Sequence, residues 1–307
     1  MRKSKLFIYE HGVCGEALPE SIAVEGLAMF KSMLDFSEYY DLVSFVRPEF
    51  RSFFRFGDGN FDEALEMADH ALIVAPENDW ILHDLTERIE KAGVENLGSS
   101  SKALKITSDK WELYRKLKNR VNVPETSLKE LDCEYVVKPR VSCGGDGIRV
   151  GGEVPQGHVA QELVNGKHLS FSFYVNDGEI HLLSVNEQIL KDFEYRGAVI
   201  PAEYDGDAAE EAIRAVEVVE GLNGFVGVDA VAGSETFVIE INARLTTPSV
   251  AFKYAYGVGY AEMREMILKN GHAEFRPLRR IMLLKGKGDG YVQHGEHSII
   301  LKTIQEF

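Results

Sequence analysis

The chain has 307 residues, with 34 lysines and arginines against 49 aspartates and glutamates and a net charge of −15. That length exceeds one ordinary core and suggests two or three lobes. The acidic balance excludes a general nucleic-acid or anionic-membrane binder, so any polyanionic ligand must be gripped locally. Three cysteines, Cys14, Cys133 and Cys143, are far apart and odd in number, which indicates neither a disulfide framework nor a CxxC metal site. No apolar run approaches membrane-spanning length, and a soluble protein of a reducing cytoplasm is expected.

Up to residue 100 or so, strands alternate with helices. "KLFIY" reads as a strand, followed by a glycine-bearing turn and an amphipathic helix in "PESIAVEGLAMFKSMLDF", where Pro19 stands at a position a helix start tolerates. "LVSFV" and "ALIVA" are further short apolar strands. "NDWILHDLTERIEKAG" is a helix with Ile81, Leu85 and Ile89 on one face and Gly93 at its end. The alternation predicts a small parallel sheet. From residue 108 the pattern changes: a helix opens at "SDKWELYRKLKN", with Asp109 and Glu112 at capping-box spacing. Closely spaced strands follow in "EYVVKP", "GIRV", "HVAQELV", "HLSFSFYV" and, after the turn "NDG", in "EIHLLSV". The helix "DAAEEAIRAVEVVEGL" separates these from "GFVGVDAV" and "TFVIEINAR", joined by "AGSE", and the tail after residue 246 reads as helical and then strand-like. The order is an α/β lobe, a small α+β lobe and a large α+β lobe.

Two motifs carry chemistry. No GxxxxGK[ST] occurs, which excludes a P-loop NTPase, and no strand runs into GxGxxG. Instead, in "VVKPRVSCGGDGIRV", Lys138 ends a strand and Gly144, Gly145 and Gly147 follow before the next. Such a hairpin lets backbone N–H groups close over phosphate oxygens while a lysine supplies countercharge, although an ordinary flexible hairpin fits the same residues. In "FVIEINARLTTP", strand alternation places Glu240, Asn242 and Arg244 on one face and Phe237, Ile239, Ile241 and Ala243 on the other. The polar face serves chemistry or faces water; the strand alone leaves both open.

Four blocks in order, "SDKWELYRKLKNRVNVPET", "YVVKPRVSCGGDGIRV", "VAQELVNGKHLSFSFYV", and "GFVGVDAV" with "FVIEINAR", resemble the ATP-grasp superfamily over residues 108 to 244. The resemblance implies an α/β and α+β ATP-grasp fold, with a pre-ATP-grasp domain over 1–107, a small lobe with a glycine-rich lid over 108–165 and a metal-bearing lobe over 166–307. It implies that Asp229, Glu240 and Asn242 hold Mg2+, or Mn2+, at the phosphates of ATP, with Arg244 beside the transferred phosphoryl group. Lys110 and Lys138 resemble the two phosphate-contacting lysines, and Ser142, Gly144, Gly145 and Gly147 resemble the lid. Gln161, Glu162, Leu163 and Val164 resemble the segment that meets adenine. His168 falls where many members place an acid for the ribose, which puts that contact in doubt. Asn186 and Gln188 alternate on a strand and face either ligand or ordinary polar neighbours.

What the resemblance implies for the reaction is phosphoryl transfer to a carboxylate, giving an acyl phosphate that an amine attacks to form an amide. Small-molecule acid and amine substrates follow, with neither nucleic acid nor membrane as partner, and a homo-oligomer stays open. Across the whole chain, "PESIAVEGLAMFKSMLDF", "LIVAPENDWILHDLTERIEKAG" and "NLGSSSKALKITSDK" look most like the archaeal tyramine–glutamate ligases of methanofuran biosynthesis. The alternatives are a ligase of the D-alanine–D-alanine kind or for other amino acids, a carboxylase component, which the short chain and the lack of a biotin-acceptor lysine motif disfavour, and a non-catalytic ATP-binding or regulatory protein. For a substrate carboxylate, "VRPEFRSFFRF" offers Arg47, Arg51 and Arg55 at i, i+4 spacing among Phe50, Phe53, Phe54 and Phe56; an amphipathic surface helix with packed phenylalanines is the favoured reading. The loop "EHGVCGE" after the first strand lies where an α/β sheet usually meets its ligand.

Overall fold

The apolar strands and amphipathic helices of the first hundred residues assemble, in the computed structural model, on a parallel sheet. The structure describes residues 3–145, 147–204 and 207–307. Its first elements are β1 (Lys5–Glu10), α1 (His11–Cys14), α2 (Glu20–Met33), β2 (Asp41–Val43), α3 (Phe61–Glu66), β3 (His70–Val74), α4 (Ile81–Ala92) and β4 (Glu95–Asn96). The strands run β2-β1-β3-β4, all parallel. Burial of both sheet faces explains the unbroken run Leu6, Phe7 and Ile8, all without solvent exposure. Gly93 ends α4 at φ 71°, a left-handed cap that glycine adopts without steric cost. "LVSFV" contributes a strand only over Asp41–Val43.

The arginine-rich segment is not the helix that its spacing predicts. It makes a single turn at Pro48–Phe50 and then runs irregularly. Phe50 and Phe54 enter the core, Phe54 against Phe30 with ring centroids 4.7 Å apart, while Phe53 stays exposed. Arg47 pairs with Glu49 and Arg51 with Asp58, so the arginines form no common row. Burial of two rings, rather than helical periodicity, sets this backbone.

Next come α5 (Ser101–Thr107), a helix not among the expected elements, α6 (Lys110–Leu117), β5 (Thr126–Ser127), β6 (Tyr135–Pro139), β7 (Arg149–Val150) and β8 (His158–Glu162). Asp109 caps α6, accepting from Trp111 N at 2.9 Å and Glu112 N at 3.4 Å. The small antiparallel sheet β5-β8-β6-β7 has its own core of Tyr135, Val137 and Ala160, separate from the main one. Since side chains alternate, Val136, Lys138 and Gln161 lie on its opposite face.

The remaining strands are β9 (Lys167–Asn176), β10 (Glu179–Lys191), β11 (Glu194–Ile200), β12 (Gly224–Ala232), β13 (Thr236–Asn242), β14 (Arg279–Gly286), β15 (Val292–His294) and β16 (His297–Glu306), with helices α7 (Asp207–Val218), α8 (Phe252–Tyr256) and α9 (Tyr260–Asn270). They form one eight-stranded sheet in the order β13-β12-β9-β10-β11-β14-β16-β15. β11, in "EYRGAVI", is a strand not among the expected ones. Along β9 the alternation is complete: Leu169, Phe171 and Phe173 are core residues, and Ser170 and Ser172 belong to the other face. Each fully buried phenylalanine contributes roughly 1.5–3 kcal/mol.

One expected face is corrected at β13. Asp229 pairs with Glu240 but Ala230 pairs with Val238, so Ile239 is an extra residue and the ladder bulges. The bulge shifts the phase of the strand: Val238, Ile241 and Ala243 are buried, while Phe237 and Ile239 are only partly covered. Among the described residues no helix is long and apolar enough to cross a membrane.

Candidate active site

The polar face of the large sheet begins at its edge with two carboxylates. Glu240 stands opposite Asp229 in the β12–β13 ladder, Asp229 opposite Ser170, and Ser170 opposite Asn186. Asn242 Nδ2 donates to Asp229 Oδ2 at 3.2 Å, which ties the amide to the same edge. Burial and then the Glu240 charge push the Asp229 carboxyl up to about 7, against hydrogen bonds involving Ser170 and Gln188. Burial would lift Glu240 as well, but the Lys110 and Lys138 ammoniums, with hydrogen bonds from Asp229 and Asn242, hold it below the usual carboxylate range. Two close carboxylates that compete for one proton suit a hard cation. Among the described residues no three His, Cys, Asp or Glu side chains converge as in an all-protein metal site. Two carboxylates and an amide match magnesium, which takes its other ligands from phosphates and water.

Asn186 belongs to a different network. Wholly buried, it accepts from Ser184 Oγ at 2.7 Å and donates to the Ser170 carbonyl at 3.1 Å and Ser172 Oγ at 3.2 Å; Tyr256 Oη in turn donates to Ser184 at 2.7 Å. Its hydrogen-bonding capacity is spent inside the sheet.

Two lysines face the carboxylate edge from the small lobe. Lys110, at the start of α6 and 7% exposed, donates to the Ser142 carbonyl at 2.8 Å and Ser142 Oγ at 3.2 Å. Lys138, 3% exposed, donates to Gln161 Oε1 at 2.5 Å, and Gln161 Nε2 donates to Thr126 Oγ1 at 3.1 Å. Burial, followed by the Lys110 charge, lowers Lys138 to about 8, with Glu240 opposing the fall. Neither lysine has a salt-bridge partner among the described residues. Buried cations bonded only to neutral oxygens are costly. An anion brought between them and the carboxylate-bound cation offsets that cost, so the residues fit a phosphate chain.

The loop over this space turns on left-handed backbone: Gly144, Gly145 and Gly147 have φ of 69°, 83° and 72°. Gly145 also packs on the β10–β11 turn, where an added Cβ would lie 2.3 Å from the Phe193 carbonyl oxygen. Asp146 of this loop lies outside the described residues. Beyond Gln161, the Glu162 N–H donates to the Glu125 carbonyl and the Leu163 N–H to the Glu134 carbonyl, each at 2.8 Å. The Glu162 side chain accepts from Glu125 N at 3.1 Å, and among the described residues no protein group accepts from Val164 N–H. His168 is half-buried opposite Val231, and burial lowers its imidazole pKa.

Arg244 lies beyond the strand. β13 ends at Asn242, whose carbonyl accepts from Arg244 N at 2.8 Å, and the side chain turns to the N-terminal region. There Nε and Nη2 grip both oxygens of Glu77 at 2.8 and 2.9 Å. Burial opposes its charge, yet Glu77 outweighs that and holds the guanidinium pKa above its usual value. Glu77 follows β3, and its neighbour Asn78 accepts from Cys143 N at 3.0 Å, so this loop also touches the glycine-rich segment. Asp79 and Trp80 are both left-handed, at φ 52° and 64°; strain of this kind in non-glycine residues collects at functional sites. Glu10 ends β1 nearby and caps α1 through Val13 N at 2.9 Å. Burial pushes its carboxyl up to about 7, against the Gly12 and Val13 N–H groups and the Arg244 and Arg47 charges. Glu10 opens the loop "EHGVCGE" expected to meet a ligand, whereas Glu77 belongs to no expected site; the signal both share is position at the C-terminal end of a parallel strand.

Residues 107–248 match the model of the ATP-grasp domain and residues 55–104 that of the pre ATP-grasp 3 domain. The chain is 31% identical over 288 residues to the tyramine–L-glutamate ligase of Methanocaldococcus fervens, covering 88% of this chain and 94% of that protein. The chain belongs to the ATP-grasp family. It is an ATP-dependent ligase that joins a carboxylate to an amine. This ATP-grasp ligase is also 36% identical over 212 residues to the tyramine–L-glutamate ligase of Methanocaldococcus jannaschii, spanning 68% of this chain and 65% of that one. A crystal structure of an ATP-grasp superfamily protein from Archaeoglobus fulgidus superposes with TM-score 0.92 at 47% identity, covering 99% of this chain and 100% of the other. More distant structures, 13–14% identical, share the fold; their ligands include ADP, ATP and magnesium ADP.

Proposed function

We propose that this ligase joins glutamate to tyramine, the step its relatives are named for, in the cytoplasm and within methanofuran biosynthesis. The likeness to tyramine–L-glutamate ligases along nearly the whole chain carries the reading. In it, Lys110, Lys138 and the loop of Ser142, Gly144, Gly145 and Gly147 bind the phosphates of ATP. Gln161, Glu162, Leu163 and Val164 border the adenine: Val164 offers a free N–H, while the Gln161 amide orients Lys138. His168 lines the same segment. Asp229, Glu240 and Asn242 hold Mg2+, with Mn2+ as an alternative; the metal, when bound, neutralises phosphate charge.

A glutamate carboxylate oxygen bonds to the γ-phosphorus, the bond from that phosphorus to the bridging oxygen breaks, and ADP departs. The tyramine nitrogen then bonds to the acyl carbon, the carbon–oxygen bond to phosphate breaks, and the nitrogen gives up its proton. Lys110 and Lys138 meet the charge on the phosphate oxygens, and Arg244, oriented by Glu77, meets charge on the transferred group. Contact between Gly145 and the β10–β11 turn supports closure against water, which would otherwise hydrolyse the acyl phosphate.

The test is ADP release with glutamate alone, with glutamate and tyramine, and with D-alanine, together with mass spectrometry of the product. Slow hydrolysis with glutamate, a stable amide when tyramine is added, and no response to D-alanine are expected. An amide from D-alanine and none from glutamate overturns the substrate reading.

A further inference from the structure

Away from the lysines, the polar face of the large sheet meets α2, and there a second charged cluster forms. Glu25 of α2 pairs through one oxygen with Lys285 of β14, and its other oxygen accepts from Thr247 Oγ1 at 3.0 Å. The two charged side chains are 15% and 18% exposed, covered yet reachable. Thr247 stands three residues beyond Arg244. The segment leaving β13 is therefore tied to the N-terminal region twice, at Glu77 and at Glu25. Tyr195 of β11 is the third component: its hydroxyl oxygen is buried and has no hydrogen-bond partner among the described residues. Tyr195 precedes by two residues Gly197, which pairs on β14 with Leu284, the neighbour of Lys285; burial, with the Glu25 and Asp229 carboxylates, holds its phenol far from ionising.

Little in folding explains this set. A buried phenol without a partner costs about 1–3 kcal/mol, and a covered ion pair is often no better than apolar packing. A lone cation or a lone anion would be repelled by one member of the pair. A group carrying both charges exchanges one ion pair for two and keeps the cluster neutral.

We infer that Glu25, Lys285, Thr247 and Tyr195 form a subsite for the zwitterionic head group of an amino-acid substrate, its ammonium on Glu25 and its carboxylate on Lys285 and the Tyr195 hydroxyl. The inference rests on the reading that one substrate is an amino acid. Thr247 keeps Glu25 in place when Lys285 turns to the ligand.

The experiment compares glutamate with glutarate, which lacks the ammonium, and 4-aminobutyrate, which lacks the head-group carboxylate, in the parent, Glu25→Gln, Lys285→Met and Tyr195→Phe proteins. KM for each acid, KM for ATP and the melting temperature are read. Tyr195→Phe removes an unpartnered hydroxyl, so it should melt no lower than the parent while KM for glutamate rises about 3- to 10-fold, one hydrogen bond's worth. Glu25→Gln should raise KM for glutamate at least about tenfold, leave KM for ATP within about twofold, and lose its effect with glutarate. Lys285→Met should lose its effect with 4-aminobutyrate. If the variants weaken all three acids equally, or ATP as much as glutamate, the inference is overturned. If the parent joins tyramine to a different amino acid, the glutamate reading fails, and the subsite is judged with that amino acid and its two truncated analogues. A parent that accepts no amino acid overturns it.

Discussion

Replacing Glu77 with glutamine isolates the link between the N-terminal region and the reacting centre. Glu77 is 5% exposed and holds Arg244 with two bonds of 2.8 and 2.9 Å. Glutamine keeps the size but withdraws the charge and turns an N–H donor toward a guanidinium that can only donate. Breaking a buried pair by removing one partner costs about 3–5 kcal/mol. The Arg244 side chain keeps 14% of its exposure, so the lower end applies. If that loss falls on the transition state through a displaced Arg244, about 3 kcal/mol corresponds to a kcat roughly a hundredfold lower. KM for ATP should stay within about twofold, because Lys110 and Lys138 are untouched, and Glu77→Asp should recover part of the rate. Steady-state ADP release measures kcat and KM, and a thermal melt reports stability. A Glu77→Gln protein that melts lower but turns over at the parental rate would reduce the pair to a structural tie with no part in phosphoryl transfer.

Gly145→Ala should raise KM for ATP about tenfold and lower the melting temperature by only a few degrees, since its Cβ would lie 2.3 Å from the Phe193 carbonyl oxygen and left-handed alanine costs about 1–2 kcal/mol in a loop outside both cores; calorimetric ATP affinity equal to the parent's contradicts this. Asp229 is raised to about 7 in the fold, so its protonated form stabilises the protein fully below about pH 4, its ordinary range, and that contribution is lost as pH rises through 7. In magnesium-free buffer, Asp229→Asn should therefore show a flatter decline in melting temperature between about pH 4 and 7 than the parent, and superimposable curves refute the assignment. Glu240→Gln should lower kcat by orders of magnitude and shift the magnesium dependence of ADP release; it should also drop Lys138 below its present value of about 8, because Glu240 is the charge that supports it. A parental rate with an unchanged magnesium midpoint returns β13 to an ordinary edge strand. Arg244→Ala should bind ATP and magnesium normally in calorimetry yet fail to transfer the phosphoryl group; parental turnover excludes Arg244 from the chemistry.

Local signals made much of this molecule legible. Alternation in "HLSFSFYV" and the turn "NDG" fix β9 and the hairpin into β10, where Asp177 and Gly178 are left-handed as such a turn demands. Asp109 caps its helix as the spacing predicts. What failed were features decided by distant partners. The bulge at Ile239 answers to pairing with β12, and the period-two rule alone assigned Phe237 and Ile239 to the wrong face. Arg47, Arg51 and Arg55 look helical by spacing, but Phe50 and Phe54 are drawn into a core built from α2. In the candidate site, Asp229, Glu240, Lys110 and Lys138 could be named from motifs. Glu77, Glu25 and Tyr195 could not, because each acquires meaning only from a residue far away in the chain.

In the proposed reaction a substrate carboxylate accepts the phosphoryl group before the amine attacks. The direct measurement is turnover of glutamate labelled with oxygen-18 in its carboxylates, in the presence of tyramine, magnesium and ATP, with mass analysis of the released inorganic phosphate. One labelled oxygen should appear in each phosphate, carried over when the amide forms and the acyl carbon–oxygen bond breaks. Amide that accumulates with unlabelled phosphate, or phosphate labelled only when the water is labelled, contradicts the account.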